Sequence, residues 1–144
     1  MTTPKTPLLT VDIIIEMADR PARPIVLIER RFPPHGWALP GGFVDVGETL
    51  EVAARREARE ETALEVELNL LLGCYSEPAR DARGHTVSAV YIAEARGDPR
   101  AGDDAGHLEL FNPENCPPLA FDHARIIADY RVWLETGRVA PLRR

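Results

Sequence analysis

The chain has 144 residues, of which 44% are hydrophobic, and a formal net charge of −6 at pH 7. This length and composition predict one domain over residues 1–144 that buries a substantial core. The negative charge argues against nucleic-acid partners, which require a basic surface. The two cysteines form no CxxC pair, which is consistent with the reducing cytoplasm, and no segment has the pattern of a signal peptide or a membrane span.

The chain begins with two predicted strands. Residues 8–17 are rich in Val and Ile, and we expect Asp12 and Glu16 to occupy exposed edge positions of this strand. A turn with two prolines at 19–24 separates it from residues 25–28, a continuous apolar run typical of a strand covered on both faces. The two strands are predicted to be neighbours.

A basic loop over residues 30–36 follows, and it either reaches a phosphate or is simply solvated. It leads into Trp37, which we interpret as a packing residue rather than a platform for base stacking. Next comes a predicted glycine loop with Gly41, Gly42 and Gly47. Glycine can adopt positive φ, so the backbone of this loop can approach a ligand closely.

A helix is predicted from Thr49, an N-cap residue, to Thr62. Its apolar side consists mostly of small residues, which permits close approach to a sheet: Leu50, Ala53, Ala54 and Ala58.

The second half of the chain alternates between strands and loops before a final helix. Strands are predicted at 65–73, 87–93 and 108–111, with an irregular polar segment at 75–87 and a loop at 97–106. Large apolar residues then recur at helical spacing from Phe121 to Leu134, with Asp122 as the expected cap and Gly137 as the stop. This order predicts the α/β class, with a mixed sheet between helices.

Three carboxylates of the first helix, Glu57, Glu60 and Glu61, lie three and four residues apart and therefore share one side of a helical turn. Like charges at this spacing destabilise a helix by a few tenths of a kcal/mol, so they require counter-charges. The interleaved arginines supply part of that charge, and a hard divalent cation can supply the rest. The alternative is that the charged run is only the solvated face of an amphipathic helix.

The spacing of the whole segment resembles the Nudix box. It consists of Gly42, five residues, Glu48, seven residues, Arg56-Glu57, two residues and Glu60-Glu61. One position departs from the family pattern, because Ala63 stands where the family has glycine, and we expect Ala63 either to strain the helix exit or to lengthen the helix. The resemblance implies an α/β/α sandwich with a mixed β-sheet and the activity of a pyrophosphohydrolase.

The resemblance also implies roles for individual residues. Mg²⁺, which Mn²⁺ can replace, would be held by Glu57, Glu60, Glu61 and a backbone carbonyl near Gly41. Arg56 joins the three glutamates in the catalytic set by orienting Glu48 or a catalytic carboxylate, and Gly42 and Glu48 give structural support. The general base stays open between a box glutamate and three later acids: Asp103, Asp104 and Glu109.

Segments outside the box look like those of ADP-ribose pyrophosphatases: 11–14, 39–44, 75–78, 80–81, 83–88 and 119–123. Within them, Arg80 and Arg83 can form charge-assisted bonds to phosphate, and His85 and Ser88 can add neutral ones. A surface salt bridge is the alternative for each arginine. 

The favoured hypothesis is thus a homodimeric cytoplasmic enzyme, with no membrane or nucleic-acid partner, that splits ADP-ribose into AMP and ribose 5-phosphate. A hydrolase of nucleoside triphosphates is one alternative. A sensor that binds a nucleotide without cleaving it is the other, although such modules tend to lack box glutamates or carry a DNA-binding extension.

Overall fold

The computed structural model describes residues 2–143 and contains seven strands and two α-helices. The strands are β1 (Leu8–Met17), β2 (Ile25–Arg30), β3 (Gly36–Ala38), β4 (Gly41–Phe43), β5 (Glu67–Tyr75), β6 (Thr86–Ala95) and β7 (Ala105–Phe111), and the helices are α1 (Leu50–Thr62) and α2 (His123–Thr136). A short 3₁₀ turn spans Pro78–Arg80. Within these residues, neither helix is long and apolar enough to cross a membrane.

The strands form one mixed sheet centred on β1. β1 runs parallel to β6 along its whole length, from Leu8 opposite Thr86 to Met17 opposite Ala95. On its other side, β1 pairs antiparallel with β4 near its start and with β2 at its end. β5 flanks β6, and β2 pairs with both β3 and β7. This topology confirms the predicted α/β class and mixed sheet.

Each face of the sheet carries one helix and one apolar core. Alanines of α1 pack against one face, together with alternate residues of β1: Ala53, Ala54, Ala58, Val11, Ile13 and Ile15. The aromatic and aliphatic residues of α2 pack against the other face: Ile126, Ile127 and Tyr130 with Ile14 and Leu27. Because alanine side chains are short, α1 can lie close to the sheet, as predicted.

The prediction for Asp12 and Glu16 is wrong, because β1 is an internal strand. Their exposed fractions are only 8% and 5%. Buried carboxylates require partners. Glu16 accepts hydrogen bonds from the hydroxyl of Tyr130 at 2.6 Å and from Arg23 at 3.1 Å, and Asp12 accepts one from the hydroxyl of Ser88 at 2.5 Å.

The glycine segment also differs from the prediction. Gly41 and Gly42 belong to β4, an unpredicted strand, and of the three glycines only Gly47 has positive φ, at 94°. The reason for glycine at 41 is a close approach: a Cβ there would lie 2.2 Å from the carbonyl oxygen of Val11. Short strands such as β3 and β4 depend on partners distant in sequence, which periodicity does not reveal.

Trp37 lies in β3, the other unpredicted strand, and its packing role is confirmed. Its ring meets Phe111 edge-on at 5.2 Å between centroids, and its carbonyl accepts a hydrogen bond from the Ala120 N–H.

The helix boundaries follow the predicted caps, with one exception. Thr49 is the N-cap of α1, and Gly137 ends α2 in the left-handed conformation. Asp122 stands at the N-cap position of α2, but its side chain makes no capping bond and instead accepts two hydrogen bonds from Arg80. A bidentate charged pair is stronger than a neutral cap, so Arg80 takes the carboxylate.

Candidate functional site

The last two turns of α1 carry the candidate carboxylates against β4. The hydroxyl of Thr49 accepts a hydrogen bond from the Val52 N–H at 3.1 Å and starts the helix. Glu61 accepts a hydrogen bond from the Gly41 N–H at 3.2 Å. A Cβ at Gly42 would lie 2.5 Å from the carboxylate carbon of Glu57. β4 therefore has glycine at both positions, because two carboxylates lie directly against its backbone.

Arg56 connects the carboxylates of the box. Its Nε and Nη2 donate to Glu48 at 2.7 and 2.8 Å, and its Nη1 donates to Glu57 at 2.9 Å and to Glu60 at 3.2 Å. The Arg56 hydrogen bonds lower the pKa of Glu48 to about 2. Arg56 thus contacts both Glu48 and Glu57, the two carboxylates that an orienting role would require, and that role stays a prediction.

Glu57 and Glu61 differ from the other box carboxylates because burial disfavours their charged forms. Burial raises the pKa of Glu61 to about 8, and the negative charges of Glu57 and Asp12 add to the same shift. Burial, with the charge of Glu60, also raises the pKa of Glu57. A further positive charge near Glu57 and Glu61 would therefore stabilise their ionised forms.

A divalent cation fits this donor set, since hard cations prefer clustered carboxylate oxygens. Within residues 2–143, however, no three His, Cys, Asp or Glu side chains lie together in a group that could hold a metal ion. Glu57 and Glu61 face the bare strand, whereas Glu60 has 57% of its side chain exposed. The two partly buried carboxylates are therefore the centre of the candidate site.

The connection between β6 and β7 fixes the end of α1. The Arg100 N–H donates to the Thr62 carbonyl at 2.8 Å, and the Gly102 N–H donates to the Glu61 carbonyl at 3.0 Å. These bonds satisfy carbonyls that a helix C-terminus leaves unpaired. A Cβ at Gly102 would lie 1.9 Å from the Glu60 carbonyl oxygen, so only glycine fits there. The last turn, with Glu60 and Glu61, is held by backbone contacts.

The same connection distinguishes the three acids proposed as the base. Asp104 lines a cavity of about 370 Å³, hereafter the groove, which includes Arg30, Gly41, Gly42, Phe43, Arg56, Glu57, Glu61 and Arg83. Asp103 is exposed and does not line this groove. Glu109 lies on β7, where it pairs with His107 at 3.1 Å. Of the three, the structure brings only Asp104 into the groove.

A family model for the NUDIX domain matches residues 6–130. The chain belongs to the NUDIX family. It is 48% identical over 130 residues to a protein named ADP-ribose pyrophosphatase from Methanocaldococcus jannaschii, with 88% of this chain and 75% of that protein covered. It is 36% identical over 126 residues to an "ADPR responsive transcriptional repressor NtrR" from Acinetobacter baylyi, covering 82% of this chain but only half of the repressor.

Among solved structures, the fold matches the NUDIX domain of Shewanella oneidensis NrtR in complex with ADP-ribose. The TM-score is 0.78 at 30% identity, and 90% of each chain is covered. This likeness agrees with the α/β architecture described above, and it extends well beyond the box.

The residues that sequence analysis assigned to substrate fall into two groups in this NUDIX domain. Arg80 has 4% of its side chain exposed, and its donors bind Asp122 and Thr86. Ser88 is fully buried and donates to Asp12. Neither residue presents a free donor to the groove. 

Arg83 and His85 are exposed, and both line a second cavity, of about 460 Å³, that also contains Phe43. Arg83 belongs to the groove as well, so the two spaces adjoin at its side chain. The structure therefore brings Arg83 to the groove of the carboxylates and His85 to the adjoining cavity, whereas Arg80 and Ser88 are buried.

Sequence analysis missed three side chains that the fold adds to this region. Arg30 is at the end of β2, Phe43 ends β4, and Phe121 precedes α2. With Arg83, all three line a small inner cavity that adjoins the groove. The signals for them were the basic loop at 30–36 and the family resemblance of segments 39–44 and 119–123, but nothing in the local sequence brings residues so far apart into one cavity.

Proposed function

We propose that this chain is a Mg²⁺-dependent hydrolase that splits ADP-ribose into AMP and ribose 5-phosphate. The observation that carries this proposal is the pair of carboxylates Glu57 and Glu61 against the glycines of β4. Their raised pKa values indicate that a cation would stabilise them, and the groove they line also contains arginine. The likeness to the methanogen pyrophosphatase and to the ADP-ribose complex supports the choice of substrate.

Glu57 and Glu61, with Glu60 at the exposed end and a carbonyl near Gly41, would hold the metal. Mg²⁺, or Mn²⁺ in its place, polarises phosphoryl oxygens and lowers the pKa of water when it is bound. Arg56 fixes the orientation of Glu57 through the 2.9 Å hydrogen bond, and Gly42 leaves room for that carboxylate.

The reaction is attack of water on one phosphorus of the diphosphate. A new P–O bond forms from the water oxygen, the bridging P–O bond breaks, and the water proton passes to a carboxylate of the groove. A box glutamate or Asp104 accepts this proton, because Glu57, Glu61 and Asp104 line the groove; Asp45 lines it as well but lies within 3.6 Å of Arg56. Arg83 and His85 are the proposed substrate contacts, since their positions in the adjoining cavity are accessible.

We further propose that the enzyme is a single-domain homodimer of the cytoplasm. The exposed apolar side chains at the start of β1 support self-association: Leu8 is 61% exposed and Leu9 is 41% exposed.

Product identification tests the proposed reaction. The purified chain is incubated with ADP-ribose and Mg²⁺, and AMP and ribose 5-phosphate are separated by chromatography. We expect both products in equal amounts, and none in the presence of a chelator. A higher catalytic efficiency with a nucleoside triphosphate would show that ADP-ribose is not the main substrate. Binding of ADP-ribose without formation of product in Mg²⁺ or Mn²⁺ would show that the chain is a sensor.

A further inference from the structure

Arginine and phenylalanine side chains alternate along the wall of the inner cavity. The guanidinium carbon of Arg30 lies 4.9 Å from the ring centroid of Phe121, and that of Arg83 lies 5.4 Å from the same centroid. Arg83 also lies 5.9 Å from the ring of Phe43. Cations within about 6 Å of an aromatic centroid are attracted to it. Phe121 therefore holds two cations on a single ring, an arrangement we call the Arg30–Phe121–Arg83 stack.

The two cations of the stack repel each other, and burial together with the charge of Arg83 lowers the pKa of Arg30. Arg83 is paired with Asp81 at 2.9 Å, whereas Arg30 donates only from Nε, to the Pro34 carbonyl at 2.7 Å. Within residues 2–143, Nη1 and Nη2 of Arg30 and Nη1 of Arg83 donate to no protein acceptor. Both arginines line the groove that contains the carboxylates. Guanidinium donors of this kind match phosphate oxygens.

The backbone at Phe121 is strained in a way that fixes its ring. Its φ is 56°, in the left-handed region that bulky residues rarely adopt. Both neighbours are tied down, since the Ala120 N–H donates to the Trp37 carbonyl at 2.8 Å and Asp122 is bound by Arg80. Strained backbone persists only where the surroundings determine it, and it is concentrated at functional sites.

We propose that Phe121 is a positioning residue that holds Arg30 and Arg83 as a two-point grip on the adjacent phosphates of a diphosphate. The groove then favours diphosphates over single phosphates, because a diphosphate can offer one phosphate to each guanidinium group. This inference rests on the proposed function for the nature of the substrate, and it goes further by naming the residues that select the diphosphate.

The test measures binding without turnover. Calorimetry of the full chain at saturating Mg²⁺ compares methylenediphosphonate with inorganic phosphate for the wild type, Phe121→Leu, Phe121→Gly and Phe121→Tyr. We expect Phe121→Leu and Phe121→Gly to weaken methylenediphosphonate about tenfold and phosphate less than threefold, because they remove the ring. Phe121→Tyr keeps the ring and should stay within threefold of the wild type. Phe121→Gly accepts positive φ, so it separates loss of the ring from misfolding.

Kinetics with ADP-ribose supply a second readout. The two variants without a ring should raise KM about tenfold while kcat stays within threefold, since the stack acts on binding rather than on the carboxylates. Phe111→Leu is a matched control, because it removes a ring that packs on Trp37 and should lower the melting temperature without changing affinity.

The outcomes separate the stack from the reaction. Unchanged methylenediphosphonate affinity in both variants without a ring overturns the stack, even if the wild type releases AMP. If the wild type releases no AMP but binds methylenediphosphonate in a manner that depends on Phe121, the stack stands and the proposed hydrolysis fails.

Discussion

Two sets of carboxylates lie near β4, buried Asp12 and partly buried Glu57 and Glu61, and their electrostatics differ. In the first set, burial opposes ionisation of Asp12, but His123, Ser88 and Arg80 lower its pKa below the ordinary value. In the second set, the pKa of Glu61 rises to about 8, and that of Glu57 is raised as well. Every buried side-chain nitrogen or oxygen among residues 2–143 has a hydrogen-bond partner. Both sets are therefore bonded, but the second is short of positive charge, because Glu57 shares the single cation of Arg56 with Glu48 and Glu60, and Glu61 has no ion-pair partner among these residues.

This difference in charge compensation indicates a structural role for Asp12 and a ligand-binding role for Glu57 and Glu61. A compensated network such as that of Asp12 stabilises one conformation, since removing a member leaves a charge unpaired. An uncompensated pair such as Glu57 and Glu61 costs stability, and such pairs are found where a ligand supplies the missing charge. The four predictions below test this distinction, beginning with the largest effect.

Removal of one carboxylate charge should abolish most of the activity. Glu57→Gln or Glu61→Gln keeps the side-chain volume but removes a negative charge from the proposed metal site, so we expect kcat for ADP-ribose to fall by about 10² to 10⁴ with the fold intact. Steady-state kinetics and circular dichroism measure the two effects. Glu65→Gln, which changes an exposed glutamate paired with Arg59, is the matched control. Wild-type rates in both site variants would contradict the assignment.

The two arginines of the sequence prediction should behave differently. Arg80→Met should lower the free energy of unfolding by about 3 kcal/mol, because Asp122 and Asp12 lose their buried partner. Arg83→Met should lower it less, by about 1 to 2 kcal/mol, since Asp81 is buried but keeps the hydrogen bond from the Arg83 backbone N–H. KM should rise about tenfold only in Arg83→Met. Urea unfolding measures the change in stability, and steady-state kinetics measure KM. A wild-type KM in Arg83→Met would show that Arg83 is only a salt-bridge residue.

The pH dependence of stability should reveal the uncompensated charge of Glu61. The pKa of Glu61 in the folded chain, about 8, lies above its ordinary value of 4.5. The contribution of Glu61 to the free energy of unfolding is therefore fully present below pH 4.5 and is lost as the pH rises through 8. In EDTA, the free energy of unfolding of Glu61→Gln should match that of the wild type near pH 4.5 and exceed it by about 4 to 5 kcal/mol at pH 8.5. Urea unfolding at the two pH values measures this difference. Identical pH profiles would mean that Glu61 is not strained when ionised.

Local sequence signals predicted the elements that depend on neighbouring residues. β1 has the predicted bounds because residues 8–17 are rich in Val and Ile, and α1 begins after Thr49 because a hydroxyl at that position caps the helix. The candidate carboxylates could also be found from sequence, since helical spacing alone places Glu57 and Glu61 one turn apart.

The failures concern contacts between distant segments. Asp12 was expected at an edge because the neighbours of β1 in the sheet, β6 and β4, come later in the chain. The stack was missed because Arg30 and Phe121 are far apart in sequence, and a left-handed phenylalanine has no local signature. Ala63 lies between these cases. The sequence identified it as a departure from the family pattern but did not decide whether it strains the helix exit or lengthens the helix.

The structure decides in favour of strain at Ala63. The helix ends at Thr62, and Ala63 has φ of 60° and ψ of 20°, with its N–H bonded to the Arg59 carbonyl. Ala63→Gly should raise the free energy of unfolding by about 0.5 to 1 kcal/mol, because glycine adopts this conformation without a Cβ penalty. Ala128→Gly, at an exposed position inside α2, should lower it by about 1 kcal/mol. Parallel urea titrations measure both, and a loss of stability in Ala63→Gly would mean that the left-handed turn carries no strain.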